Sequence, residues 1–397
     1  MKPSKPAADD CYDFSLESPN PSRTGNGGRS SPRSAAEHGR LKGAICGLTA
    51  AALFGASAPF AKILLLGASP LSLSALLYLG AGLGLCLPSL RRRTRPSEGQ
   101  AEAPLRGRDW ALLGAISVTG GVIGPLLMLW GLGRLSGVVA SLLLNLEGPF
   151  TILIAVSLFR EHLGRLEAAS AVLVLVGAAL LGFRPGQVHI DGLGVLALAG
   201  ACAVWGIDNN LTQRLSLRDP LVLARAKTLF AGTLSLIVSL ALGSQFPTGK
   251  AVAAALLLGS VSYGVSVLLD AYALRLLGAS REAAFFATAP FAGAALAIPL
   301  LGERPSLGDA GAGLLLAAGV AILLVARHGH QHPHEALEHE HGHSHDEHHQ
   351  HVHDGPVHEP HSHPHRHPAL IHDHPHVSDA HHRHRHGGGP DELGSSS

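Results

Sequence analysis

From about Leu41 to Ala326 the chain runs in apolar stretches of roughly 20 residues, broken by short loops that carry Arg, Pro and Gly. A stretch of about 20 apolar residues matches the hydrocarbon thickness of a bilayer. Backbone polar groups there must be satisfied within the segment, and the stretches neither shorten nor alternate as outer-membrane strands do. They therefore predict helices, at approximately 43–66, 70–90, 110–130, 135–159, 167–183, 192–213, 220–243, 251–273, 280–301 and 307–326.

The second five spans echo the first five. Ala51-Ala52-Leu53-Phe54-Gly55 is answered by Cys202-Ala203-Val204-Trp205-Gly206, 151 residues later, and Pro149-Phe150 with Glu161 by Pro290-Phe291 with Glu303. Five is an odd number, so the second copy must enter the membrane from the opposite side. The predicted fold is an all-α integral membrane protein, ten transmembrane helices forming two inverted five-helix repeats at 41–184 and 191–327. In such a plan a site lies where the repeats meet.

Residues 1–40 are polar and contain no apolar run, so they predict a disordered lead-in and not a cleaved leader. Lys and Arg fix the sidedness. With the N-terminus inside, the inner segments collect Lys2, Lys5, Arg23, Arg29, Arg33, Arg40 and Lys42, then Arg91, Arg92, Arg93, Arg95, Arg106 and Arg108, and later Arg160, Arg165, Arg214, Arg218, Arg275 and Arg281. The outer loops hold only Lys62, Arg134, Arg184, Lys250 and Arg304. Both termini are thus expected in the cytoplasm of a bacterial-type inner (plasma) membrane.

Overall, 46% of residues are hydrophobic and 15% charged, and the tails hold much of that charge. The 48 glycines suit closely approaching membrane helices. Cys11, Cys46, Cys86 and Cys202 show no Cys-x-x-Cys spacing and suggest neither a disulfide framework nor a zinc site. No phosphate loop, nucleophile elbow or His-Glu-x-x-His motif occurs. The chain does not read as an enzyme.

Ionisable groups inside hydrocarbon are costly, which makes each a candidate site residue. Glu147 lies near mid-membrane beside Asn145, and Pro149 interrupts the helix there, freeing carbonyls for a cation or polar substrate. Its alternative role is a structural hydrogen bond to a neighbouring helix. Asp208, Asn209 and Thr212 share one helical face behind Trp205. They lie nearer the cytoplasmic end and could simply face water. Tyr263, Ser266 and Asp270, joined by Ser262, form another stripe; Asp270 is expected to pair at the interface with Arg275 or Arg281. Arg225 and Lys227 are expected to snorkel to headgroups. Glu161 and Glu303 close helices and read as gating or boundary charges.

After Arg327 the composition changes. Residues 328–386 hold 24 of the 27 histidines, among Asp, Glu and Pro. Too apolar-poor for a core, the segment 328–397 predicts disorder in the absence of a ligand. Its alternating imidazoles, such as His341, His343, His345, His361, His363, His365, His381, His382, His384 and His386, suit Ni, Co, Zn or Cu without choosing among them. The expected role is a cytoplasmic buffer or sensor; the alternative is a biased tract whose affinity is incidental. About 24 imidazoles charging together near pH 6 is a further reading.

The motifs Leu53-Phe54-Gly55-Ala56-Ser57-Ala58-Pro59, Trp205-Gly206, Pro149 to Phe159-Arg160-Glu161 and Pro290 to Leu301-Gly302-Glu303 resemble the drug/metabolite transporter superfamily, specifically its EamA-type members, over residues 41–327. The resemblance implies a proton- or gradient-coupled carrier, usually an exporter. Ala203 to Thr212, Leu144 to Phe150 and the histidine tail look like a subgroup found with nickel and cobalt resistance systems.

Three functions follow: an alternating-access exporter of divalent metal ions such as nickel or cobalt, fed by the tail; an exporter of a small metabolite or amino acid with the tail as accessory buffer; or a membrane-anchored metal store or sensor. Two five-helix halves are more than an anchor needs. No cofactor is required beyond metal on the tail. The expected partners are the lipid bilayer and a small-molecule or metal-ion substrate, not nucleic acid; a homodimer stays open.

Overall fold

The computed structural model describes residues 32–93, 105–159, 164–182, 191–215, 218–277, 282, 285–325 and, in the tail, 328–334, 337–343, 361–367 and 370–376. Outside the tail the architecture is helical. Helices α1 (Pro32–Leu64) and α2 (Pro70–Arg93) are continuous. Helix α3 runs Gly107–Val118, passes through a π-turn at Thr119–Ile123 and continues Gly124–Arg134. Helix α4 runs Gly137–Leu143, tightens to a 3-10 turn at Leu144–Leu146 and continues Glu147–Phe159.

Helices α5 (Arg165–Gly182), α6 (Gly192–Thr212) and α7 (Pro220–Ala241) follow. Helix α8 joins Lys250–Gly259 to Ser266–Leu277 through a second π-turn, Ser260–Val265. Helices α9 (Ala289–Leu301) and α10 (Leu307–Val325) complete the bundle. Among the described residues seven helices are long and apolar enough to cross a bilayer, and three shorter apolar ones cover Pro70–Cys86, Ala289–Leu301 and Leu307–Leu323. Large apolar side chains such as Leu158, Leu196, Leu242 and Leu314 lie exposed on the outside, as a lipid-facing surface requires. The chain is a multi-pass membrane protein.

Local chemistry sets the helix ends. Ser136 caps α4 through the Val139 amide, and Asp191 caps α6 through the amides of Leu193 and Gly194. Asp219 caps α7, with Pro220 in the first turn where its missing N–H is harmless. Asp191 also accepts from Arg134 at 2.5 Å, and Arg134 stacks 4.0 Å over the Trp130 ring. That guanidinium holds the Asp191 carboxyl below its usual value of 3.8. A depressed pKa stabilises the fold above the ordinary value and loses that share as pH falls through the lowered one; at this exposed site salt screens most of it.

Pairing within the bundle follows a regular shift. Helix α2 packs extensively on both α7 and α8, and α5 on α10, while α6 packs on α3 and α4. Correspondingly, α1 meets α8 through Phe54 and Tyr263, and meets α9 where Gly55 faces Ala289. By a step of five helices the α6 contacts map onto those of α1, and the α2–α7 and α5–α10 contacts map onto themselves. The two π-turns obey the same step: they begin 141 residues apart, the separation of Pro149 from Pro290. Leu73, Leu77, Leu129, Leu132, Leu143, Leu181, Leu198 and Leu316 form the fully buried core. Backbones touch where glycine permits it: a Cβ on Gly259 would lie 2.0 Å from the Leu77 carbonyl oxygen.

Two expectations are revised. Helix α1 begins at Pro32, inside the segment assigned to the polar lead-in, because nothing from Pro32 to Arg40 stops a helix propagating backwards from the apolar run. The tail contains strands where disorder was expected. β1 (His328–His334) pairs antiparallel with β4 (Leu370–His376), and β2 (Leu337–His343) with β3 (His361–His367). The reason is periodicity: a His-x-His repeat of two matches the pleat of a strand even where composition excludes a core.

Candidate functional site

Pro149 shapes the site first. It has no N–H to offer the Asn145 carbonyl one turn earlier, and α4 tightens there into the 3-10 turn at Leu144–Leu146. The carbonyls of Leu143 and Leu144 find the buried Cys202 thiol as a weak donor at 3.7 and 3.8 Å. Glu147 opens the second half of α4. Its Oε1 accepts from Asn209 Nδ2 of α6 at 2.8 Å, and its backbone oxygen accepts from Thr151 Oγ1 at 2.8 Å. Asn209 also reaches Thr151 Oγ1 at 3.3 Å and is accessible from outside the protein.

One residue earlier on α6, Asp208 is buried, and Lys227 of α7 donates to its Oδ2. The other oxygen, Oδ1, is buried without a hydrogen-bond partner. Asp208 lies against the α3 π-turn, where a Cβ on Gly120 would fall 2.2 Å from its carboxyl carbon. The Gly120 carbonyl, in the π-turn, accepts from both Trp205 Nε1 at 3.0 Å and Tyr78 Oη at 3.1 Å. Such turns recur at functional sites because they break the regular ladder. Asp208 and Asn209 are consecutive on α6, so the Asp208–Lys227 pair stands next to the Glu147–Asn209 bond. The two carboxylates, the ammonium and their donors therefore form one cluster contributed by α2, α3, α4, α6 and α7.

The α8 stripe stands beside it. Tyr263 donates to Ser57 Oγ at 3.2 Å, stacks edge-on against Phe54 at 5.4 Å and lies 5.9 Å from the Tyr78 ring. Ser266 Oγ and Thr212 Oγ1 are buried with no hydrogen-bond partner. Asn145 is buried too, but its amide donates to the Leu142 carbonyl of its own helix at 2.9 Å. Asp270 neighbours Glu282; the Arg275 side chain and Arg281, its expected partners, lie outside the described residues, as does Glu161.

Lys227 corrects the expectation of an interfacial, snorkelling residue. Helix α7 begins at Pro220, so Lys227 lies two turns inside it, about 10 Å along the axis, opposite a buried carboxylate. A charge two turns into an apolar helix was the available signal. Tyr78 and Gly120 carried none, because a lone tyrosine and one glycine among 48 are unremarkable.

At the far end of α3, Lys62 Nζ donates to the Leu132 and Leu135 carbonyls at 2.8 and 2.5 Å. Glu303 accepts from the Gly137 and Val138 amides at 2.5 and 2.8 Å, capping α4 from the loop before α10. Glu303→Ala removes both bonds from a helix N-terminus, and should lower stability by about 1–2 kcal/mol. The check is the thermal unfolding midpoint of purified protein; a midpoint equal to wild type would show the cap to be dispensable.

Among residues whose side chains are described, no group of three or more His, Cys, Asp or Glu is placed to hold a metal ion. Of the tail histidines singled out, His341, His343, His361, His363 and His365 lie on β2 and β3, whereas His345, His381, His382, His384 and His386 fall outside the described residues.

A bundle of apolar helices enclosing a small cluster of opposite charges is the make-up of a membrane transport protein. The model of the EamA-like transporter family matches residues 41–183 and again 192–325, and the chain belongs to that family, whose members are transporters and not enzymes. An "Uncharacterized transporter" of Methanothermobacter thermautotrophicus is 32% identical over 305 residues, covering 74% of this chain and 89% of that protein. A protein of Streptantibioticus cattleyicolor described as "Probable terminal-alkyne amino-acid exporter" is 28% identical over 253 residues, 61% of this chain and 84% of that protein. One solved crystal structure superposes with a TM-score of 0.53 at 21% identity, covering 72% of this chain and 97% of the other, and shares the fold.

Proposed function

We propose that the chain is a secondary-active exporter of a small metabolite that carries both an acidic and a basic group, such as an amino acid. It works by alternating access, with ten membrane-spanning helices in two inverted repeats and both termini cytoplasmic. The observation that carries this reading is the Asp208–Lys227 ion pair beside the Glu147–Asn209 hydrogen bond. An ammonium in the cluster suits a substrate carboxylate, and two carboxylates suit a substrate amine; a bare dication would meet Lys227 unfavourably. The description of the Streptantibioticus cattleyicolor protein as an amino-acid exporter points the same way. The five-helix step in the packing supports the inverted repeats, and the Lys and Arg asymmetry supports the orientation.

Proteoliposome exchange with radiolabelled amino acids and with Ni²⁺, Co²⁺ and Zn²⁺ tests the cargo. Glu147→Gln should lower exchange of the transported compound about tenfold or more while leaving the protein folded, since the amide still meets Asn209. Full exchange by that variant would remove Glu147 from the mechanism.

The second reading, export of nickel or cobalt with the tail delivering the ion, rests on the 24 histidines of residues 328–386. In either reading the tail is a cytoplasmic metal buffer. Deleting 328–386 separates them: metal tolerance and efflux that persist without the tail would end the delivery role.

A further inference from the structure

The tail strands place histidine opposite histidine at three rungs of each ladder. In the β1–β4 ladder the register pairs His328 with His376, His330 with His374 and His332 with His372. In the β2–β3 ladder it pairs His339 with His365, His341 with His363 and His343 with His361. Alternate residues of a strand share a face, so each ladder carries three successive histidine rungs on one face. The intervening positions, such as Gln331 opposite Asp373 and Gly342 opposite Ser362, carry none.

Opposed residues of an antiparallel pair have Cβ atoms roughly 5 Å apart, and successive same-face rungs are about 7 Å apart. Two adjacent rungs thus frame a rectangle whose corners lie about 4 Å from its centre, within imidazole reach of an ion bound at about 2.0–2.1 Å. The two outer rungs are about 14 Å apart and cannot share an ion. A pair of two-stranded ladders without a core is marginal in water, and an ion bridging both strands would supply what the core does not.

We propose that each ladder is a separate site for one borderline divalent cation (Zn²⁺, Ni²⁺, Co²⁺ or Cu²⁺), held by two adjacent cross-strand histidine rungs, with the middle rung indispensable. The tail then binds two ions tightly and by register, beyond the diffuse chelation any histidine-rich segment offers. The proposal rests on the reading of the tail as a metal buffer and gives that buffer a defined capacity.

The test keeps composition constant. In the full chain, metal-stripped and in detergent micelles, H330Q/Q331H with D373H/H374D moves the middle rung of the first ladder to the opposite face. H341G/G342H with S362H/H363S does the same in the second. Competition for Zn²⁺ against a chromophoric chelator should show two tight equivalents in wild type, one in either rung-shifted variant and none in their combination, with the lost sites weakened about tenfold or more. The exchanges H349Q/Q350H and H384R/R385H, outside the ladders, should keep both. Rung-shifted variants that retain both tight equivalents, or control exchanges that lose as much, would overturn the proposal while leaving the buffer intact. A wild-type chain with no tight equivalent at all would overturn the buffer as well.

Discussion

Lys227→Met is expected to destabilise the protein by about 3–5 kcal/mol and to abolish transport. The substitution strands Asp208 as a buried carboxylate whose second oxygen already has no partner, and removing one member of a buried ion pair costs about that much. Asp208→Asn combined with Lys227→Met removes both charges and should recover most of the stability, because the penalty belongs to the unpaired charge more than to the lost attraction. Transport should not recover, since the cluster would lack both the ammonium and one carboxylate. Thermal unfolding and proteoliposome exchange on the two single variants and the double variant give the complete cycle. A Lys227→Met protein that exchanges substrate like wild type, or a double variant no more stable than the single, would rule out the pair as the centre of the site.

Gly120→Ala is expected to damage the site directly. Its Cβ would lie 2.2 Å from the Asp208 carboxyl carbon and 2.3 and 2.4 Å from its two oxygens. Either α6 moves or the carboxylate rotates off Lys227. Overpacking of this kind costs about 1–3 kcal/mol, and here it also displaces the carbonyl that holds Trp205 and Tyr78. Gly114→Ala, less than two turns earlier on α3 and with nothing within 4 Å of the added carbon, is the control. It should be neutral or stabilising by about 0.5–1 kcal/mol, as alanine is a better helix former. Equal transport and equal unfolding midpoints for the two variants would show that the close approach has no consequence.

Much of this was legible in the sequence, and the residues show where legibility stops. Pro149 announced the break in α4 because a missing N–H acts locally, and the break lies at Leu144–Leu146, just upstream. Glu147 and Asn209 stood out as polar groups in apolar spans, and the structure brings them to 2.8 Å. Lys227 was misplaced although its helix was expected to start at 220: a lysine seven residues in can snorkel, and the buried Asp208 that holds it comes from a different helix, which the sequence does not place opposite. The π-turns left no trace, since an extra residue in a helix changes hydrogen bonding and leaves hydropathy untouched. Asn145, also a polar group in an apolar span, donates to the Leu142 carbonyl of its own helix. In the tail, composition argued for disorder, while the alternation that pairs β1 with β4 was visible as His-x-His and was weighed only as ligand chemistry.

The step of five helices has a consequence for how the molecule can be taken apart. Because α2 lies on α7 and α5 on α10, the principal interfaces join one half of the chain to the other, and Glu303 from the second half closes the first turn of α4 in the first. The two halves are therefore interleaved like clasped hands. Neither has a finished interior of its own, and parting them would expose the surfaces that each now buries against the other.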